Sequence, residues 1–238
     1  MVLFMTEMEK NATRYKVGII GGTGNIGEGL ARRICISGKY DVSLGSRDPA
    51  KAATAADGVT CCLAERKCEI GGTCSGGSNA SVCDADIIIL SVPFDKIEST
   101  IETIGKSVFE NKIVVSLINP MLRFPKEKYF LPDRPAEGSA ALAIQKMLPA
   151  SAKLTTAFNN VASGKWMELD EELDYSVCVC GDDEEAKRIV MDLVASVSKL
   201  VPLDAGPLAC AATIESITPL VITLAMRNGL KDVGVYFR

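Results

Sequence analysis

Val17-Gly18-Ile19-Ile20-Gly21-Gly22-Thr23-Gly24-Asn25-Ile26-Gly27 (VGIIGGTGNIG) is the stretch that decides the fold. A short apolar run ending in clustered glycines reads as a buried strand entering a tight turn. Beyond the turn, Ile26, Leu30, Ala31 and Ile34 make the apolar stripe of a helix lying on a sheet, and Gly38 is placed to end it. Gly22 to Gly27 fits G-x-G-x-x-G in the strand-to-helix context that gives this pattern meaning. Gly22 permits the sharp turn, Gly24 lets backbone approach a pyrophosphate, and Gly27 lets the helix lie against the strand. The helix N-terminus adds unpaired N–H groups and a positive dipole.

Outward from this unit the chain repeats it. Asp41-Val42-Ser43-Leu44 is a second strand running into Gly45-Ser46-Arg47-Asp48-Pro49, where Asp48 before Pro49 signals a helix through the Ala-rich segment to Ala56. Ala85 to Val92 (ADIIILSV) is an apolar run suited to a strand covered on both faces. Pro93 opens a helix with Ile97, Ile101 and Ile104 on one side, and further strands are expected at Lys112 to Ile118 and Leu154 to Phe158. Strands alternating with helices predict an α/β fold, a doubly wound parallel sheet with right-handed crossovers. The pattern continues on a smaller scale with a strand Val177 to Cys180, a helix through Ile189 to Val197, a strand Val201 to Leu203 and a helix from Thr213 to Arg227. The expected organisation is a loose leader over 1–15, a Rossmann-type dinucleotide-binding domain over 16–176 and a smaller C-terminal α/β domain over 177–238. Gly71 to Ser81 (GGTCSGGSNAS) reads as a Gly/Ser loop, and the segment with Arg123, Lys126, Lys128 and Arg134 as a solvated charged loop or a local positive field for an anionic ligand.

The end of the second strand selects the dinucleotide. An NAD site wants an acidic residue about 20 residues past the glycines, whereas this chain has Gly45-Ser46-Arg47 and then Lys51. Ser46, Arg47 and Lys51 supply a hydroxyl, a planar guanidinium and a point charge for a 2′-phosphate, which predicts NADP(H). The bland alternative is that Arg47 and Lys51 only face solvent.

Composition narrows the chemistry. The 238 residues are 47% hydrophobic, 24% charged and 5% aromatic, with 26 basic and 30 acidic side chains for a formal charge of −4. No stretch concentrates Lys and Arg enough to track a phosphate backbone, so nucleic acid is not an expected partner. No run is read as reaching the roughly 18 apolar residues needed to span a bilayer, so neither is a membrane, and a cytoplasmic location is expected. Nine cysteines are an odd count for a fully bridged secreted domain. Cys61, Cys62, Cys68, Cys74 and Cys83 make no C-x-x-C pair, Cys178 and Cys180 would share one face of a strand, and no metal site is expected. Histidine is absent, which removes imidazole acids, bases and ligands.

An alcohol dehydrogenase must also move a proton, yet Tyr-x-x-x-Lys does not occur. A flavin or deazaflavin ring handles its own charge and needs only alignment, an apolar wall and donors near its heteroatoms. The composition suits this second chemistry, with no catalytic side chain expected.

Val17 to Gly27, Gly45-Ser46-Arg47 with Lys51, Val177 to Lys187 (VCVCGDDEEAK), Pro202 to Leu208 (PLDAGPL), Glu215 to Leu220 (ESITPL) and Asn228-Gly229 together resemble the NADPH-dependent coenzyme F420 reductases, or 8-hydroxy-5-deazaflavin:NADP oxidoreductases, of archaea. The likeness covers Lys16 to Phe237. It implies reversible hydride transfer between NADPH C4 and deazaflavin C5 in a homodimer. It also implies that Thr23, Gly24, Asn25 and Ile26 hold the pyrophosphate, that Ser46, Arg47 and Lys51 hold the 2′-phosphate, and that Val92 and Pro93 line the nicotinamide side. Asn119 and Pro120 would close the same cleft, with the deazaflavin near Val161 to Ser163 and touching Val233.

Two segments depart from the family pattern, with Phe94-Asp95-Lys96 in place of Trp-Glu-His and Asn159-Asn160-Val161-Ala162 in place of His-Thr-Ile-Pro. The alternatives are a paralogue using another acceptor, a non-catalytic NADP(H) sensor, and an NADP-dependent carbonyl or imine reductase with Lys96 or Lys165 as acid.

Overall fold

The computed structural model describes residues 14–68, 71–231 and 233–237. Most of the expected leader therefore lies outside the described residues.

The glycine-turn unit forms as read: β1 (Lys16–Ile20) leads into α1 (Asn25–Ile36), followed by β2 (Asp41–Ser46) and α2 (Pro49–Glu65). Asp48 caps α2 through its carboxylate, which accepts from Ala50 N at 3.1 Å, with Pro49 at the first helical position. The chain continues through β3 (Cys74–Ser78), β4 (Ile87–Leu90), α3 (Phe94–Ile104), β5 (Ile113–Ser116), β6 (Met121–Phe124), β7 (Tyr129–Pro132), α4 (Ala140–Met147) and β8 (Lys153–Thr156). It ends with β9 (Tyr175–Gly181), α5 (Glu184–Ser196), β10 (Leu200–Asp204), α6 (Ala211–Glu215) and α7 (Ile217–Asn228).

Eight strands form one sheet in the order β10-β9-β8-β5-β4-β1-β2-β3, parallel except where β9 meets β8. β9, which straddles the expected boundary at 176/177, and β10 thus extend the same sheet. β4 shows why its sequence is unbroken apolar: Ile87 and Ile89 enter the core beneath α1, α2 and α5, while Ile88 and Leu90 enter the core beneath α3, α4 and α6. A strand buried on both faces gains nothing from a polar position.

Four expectations are corrected. Gly71 to Ser81 is not all loop, because β3 lies within it as the edge strand beside β2. Its glycines let α2 come close, since a Cβ on Gly76 would sit 2.2 Å from the Ala52 carbonyl oxygen. α2 runs past Ala56 to Glu65, so Cys61 and Cys62 are helical. The charged segment around Arg123 is the antiparallel hairpin β6–β7, with Phe124 stacked on Tyr129. Finally, a sufficiently long apolar stretch does exist: Leu208–Asn228, 21 residues with mean hydropathy 1.7, passes the length and composition test for a span. Glu215 and Ser216 interrupt it, and α6 and α7 meet at Ser216 instead of forming the single expected helix.

Candidate functional site

The carboxyl ends of β1, β4, β5 and β8 open into one cleft of about 1000 Å³, beside β1 where the chain reverses its order across the sheet. Such a switch point is where open α/β sheets bind ligands.

On the β1 side the turn is built from backbone. Gly22 N donates to the Gly45 carbonyl at 2.8 Å, and Gly21, with φ +75°, donates to Asn79 Oδ1 at 3.2 Å. Asn79 N in turn donates to the Ser46 carbonyl, which ties the ends of β1, β2 and β3 together. The glycines divide the labour. A Cβ on Gly27 would meet Gly22 Cα at 2.7 Å, and one on Gly22 would meet Leu44 Cδ2 at 2.7 Å. Gly24 faces open space, its nearest atom being the Gly21 carbonyl oxygen at 3.9 Å. As N-cap of α1, Gly24 supplies no side chain to the helix N–H groups, which stay available to an anion. This cradle fits a dinucleotide pyrophosphate.

Gly24, Asn25 and Ile26 line the cleft, whereas Gly22, Thr23, Ser46 and Arg47, beyond or at the ends of β1 and β2, and Lys51, in the first turn of α2, are not among its lining residues. Arg47 and Lys51 are exposed, and no carboxylate occupies the end of β2. The Ser46 hydroxyl accepts from Asp48 N at 3.2 Å, which sets the bend into α2.

The opposite wall gathers residues distant in sequence. Val92, Pro93, Asn119, Pro120, Val161, Ser163 and Val233 all line the cleft. Val233 arrives because the terminal segment runs along β9: Ser176 N donates to the Val235 carbonyl and Phe237 N to Ser176 Oγ, each at 2.9 Å. Asn119 Nδ2 donates to the Asn159 carbonyl at 2.7 Å and to Thr218 Oγ1 at 3.1 Å, and Asn159 Nδ2 returns a bond to Asn119 Oδ1 at 3.1 Å. Both Asn159 and Asn160 are buried, each with a side-chain oxygen that has no partner. Phe158, the residue before them, has a φ of +63°, an uncommon and strained backbone for a bulky side chain.

Sequence reading did not anticipate this polar triangle, nor the contribution of α7, whose Val221, Ile222, Ala225 and Met226 complete the apolar lining. The even apolarity of α7 was the available signal: one face serves the cleft and another, with Leu220 and Leu224, is exposed. Glu215, at the start of the Glu215 to Leu220 segment, is a buried structural cap. Its carboxylate accepts from Ala140 N and Ala141 N at 2.8 and 3.0 Å at the start of α4, and burial pushes its pKa above the ordinary glutamate value.

Among the described residues lining the cleft, the ionisable ones are Asp95, Arg123 and Asp133. Lys96 is paired with Asp95 at 2.9 Å, and Lys165 with Glu168 at 2.7 Å and with Glu171; neither lysine lines the cleft. Burial pushes the thiols of Cys83 and Cys180 up to about 11, and a hydrogen bond with Cys74, followed by burial, pushes that of Cys35 up as well. These cysteines behave as small core side chains.

The sheet, its switch point and the glycine cradle define a Rossmann-type dinucleotide-binding protein. The family model described as NADP oxidoreductase coenzyme F420-dependent matches residues 16–120. The F420-dependent NADP reductase of Methanocaldococcus jannaschii is 36% identical over 224 residues, covering 92% of this chain and 96% of its own length. That of Methanothermobacter thermautotrophicus is 30% identical over 92% of this chain and 93% of its own. A solved structure from Arthrobacter sp. FB24 superposes with a TM-score of 0.73 at 23% identity, over 94% of this chain and 99% of that one, a likeness of fold. The chain belongs to the F420-dependent NADP reductase family, whose redox pair is NADP(H) and coenzyme F420.

Proposed function

We propose that this protein transfers hydride reversibly between NADP(H) and coenzyme F420 across the cleft. The observation that carries this reading is a wall with an open glycine cradle at one end, apolar side chains along its length and, among the described residues, no lysine, tyrosine or cysteine in its lining. When bound, the reduced dinucleotide supplies the hydride and the deazaflavin the ring carbon that receives it. The protein's contribution is placement and exclusion of water.

In this reading Gly22, Thr23, Gly24, Asn25 and Ile26 hold the pyrophosphate at the start of α1, and Ser46, Arg47 and Lys51 hold the 2′-phosphate. Val92 and Pro93 wall the nicotinamide side, Asn119 and Pro120 close the floor, and Val161, Ser163 and Val233 meet the acceptor. Of the residues that depart from the family pattern, Phe94, Asp95, Asn159, Asn160, Val161 and Ala162 line the cleft. Asn159 is locked to Asn119 and leaves an unpaired oxygen, a polar floor beside apolar walls.

Leu220 and Leu224 on α7, with Leu122 and Leu131 on the hairpin, are exposed apolar residues that support burial against a second copy in a homodimer. Nine unpaired cysteines support a reducing, cytoplasmic setting. The test is anaerobic mixing of protein, NADPH and oxidised F420. Loss of deazaflavin absorbance with matching NADP formation is expected. Tight NADP binding with no change in F420 would leave the sensor reading instead.

A further inference from the structure

Arg33 is the largest feature of the molecule that the proposed chemistry does not use. It lies on the buried face of α1, at 7% exposure, two turns beyond the cradle. Its guanidinium donates to the carbonyls of Trp166 at 3.1 Å, Lys165 at 2.8 Å, Glu168 at 2.7 Å and Glu171 at 3.3 Å. Those carbonyls belong to the segment that directly continues the cleft-lining residues Phe158 to Gly164. Gly29, one turn earlier on the same face, brings α1 so near this segment that a Cβ there would sit 2.6 Å from both the Trp166 carbonyl carbon and its Cβ. Trp166 is fully buried, and its ring meets Phe158 edge-on with centroids 5.8 Å apart. Two hooks therefore fasten the loop, one at each end of its cleft-lining part: the Phe158–Trp166 contact and the Arg33 fork.

A guanidinium suits this task better than an ammonium, because a planar fork of five donors can reach several carbonyls at once. Burying it against carbonyls alone, with no carboxylate within its hydrogen bonds, is a costly way to stabilise a surface loop. The arrangement makes sense where the position of that loop matters.

We propose that Arg33 is a positioning residue of the hydride-transfer site, holding the loop Phe158 to Glu171 against the dinucleotide helix so that Val161 and Ser163 stand at a fixed distance from whatever α1 binds. This rests on the acceptor-site reading above. The hydrogen bonds of Arg33 go to backbone carbonyls outside the cleft lining, so it acts through the backbone of the loop.

Trp166 is the single tryptophan of the chain, so its emission reports the loop without any ligand. The experiment compares full-length wild type with Arg33→Lys and Gly29→Ala by emission and acrylamide quenching, by NADP titration, and by kcat and KM for F420 at saturating NADPH. Both variants are expected to show red-shifted, more quenchable emission. The loss in kcat/KM for F420 is expected to be on the order of tenfold to a hundredfold, as misplacement near 1 Å can produce. NADP affinity should stay within about twofold, as for sites that share no partner. Should Arg33→Lys fail to fold, Gly29→Ala decides alone, because alanine favours the helix while its Cβ displaces the loop. Unchanged emission and F420 kinetics in the variants that fold would overturn the proposal. So would a parallel fall in NADP affinity and F420 turnover, which marks general damage. If wild type reduces no F420 at all, the hydride-transfer reading fails, and an unshifted Trp166 in the variants is then what overturns the positioning role.

Discussion

The two halves of the cleft are made by opposite means. The dinucleotide end is backbone and missing side chains: Gly22 bonded to Gly45, Gly27 seated on Gly22, and Gly24 left open. The acceptor end is side chains joining remote segments, with Asn119 bonded to Asn159 and Thr218, 40 and 99 residues away, and Arg33 to a carbonyl 138 residues away. A pyrophosphate is the same in every dinucleotide enzyme, so a short local motif can serve it. The shape presented to an acceptor must be assembled by the tertiary fold. Changes at the first end should therefore alter nucleotide affinity with little else, and changes at the second should alter turnover with the acceptor at constant nucleotide affinity.

The sharpest break in this contrast is expected at the glycines. Gly24→Ala adds a methyl where the protein leaves space, so the melting temperature should hold while NADP affinity drops by up to about a hundredfold, the upper range of an overpacking cost. Gly27→Ala drives a Cβ into the Gly22 backbone and should lower the melting temperature itself. Calorimetry with and without NADP separates the two. Next in size, Arg47→Ala removes a charge-assisted bond of about 1.5–3 kcal/mol, so NADPH should weaken by roughly tenfold to a hundredfold while NADH does not change. Equal losses for both nucleotides would remove the phosphate clamp.

Thr218→Val sharpens the other half. It takes one corner from the Asn119–Asn159 triangle, which should cost about 1 kcal/mol in acceptor kcat/KM, near fivefold, with the NADP titration unmoved. The smallest effect is expected at Glu215. Its carboxyl has a folded pKa above its unfolded value, so its contribution to stability is fullest below the unfolded pKa and is lost as pH rises through the folded one. Wild type should therefore lose stability relative to Glu215→Gln as pH is raised from the acid side of the ordinary glutamate value toward neutrality, measured as the difference in melting temperature.

The glycine turn was legible in the sequence because its contacts are local and clustered glycines signal tight turns, positive φ and close approach. VGIIGGTGNIG, the Asp48-Pro49 helix start and the continuous run around Ile87 to Leu90 each appear in the structure as read. The departures from the reading have physical causes too. β3 was hidden because its Cys-Ser-Gly-Gly-Ser sequence lacks strand-forming residues, and it is a strand through pairing with β2 and the close cover of α2. Thr218 and Arg33 carry no signal of their own, since a threonine in an apolar helix and an arginine between Ala31 and Ile34 acquire meaning only from partners far along the chain. The single helix expected from Thr213 to Arg227 breaks at Ser216, next to a Glu215 that is drawn inward to cap α4.

The central claim is direct hydride passage across a cleft whose lining, among the described residues, offers no proton-carrying lysine, tyrosine or cysteine. NADPH carrying deuterium at both C4 positions of the nicotinamide, mixed anaerobically with oxidised F420 and the protein in ordinary water, tests it most directly. The label is expected at C5 of the reduced deazaflavin, in an amount equal to the NADP formed. Reduced F420 without deuterium, or NADPH left unconsumed by a protein that binds it, would contradict the claim.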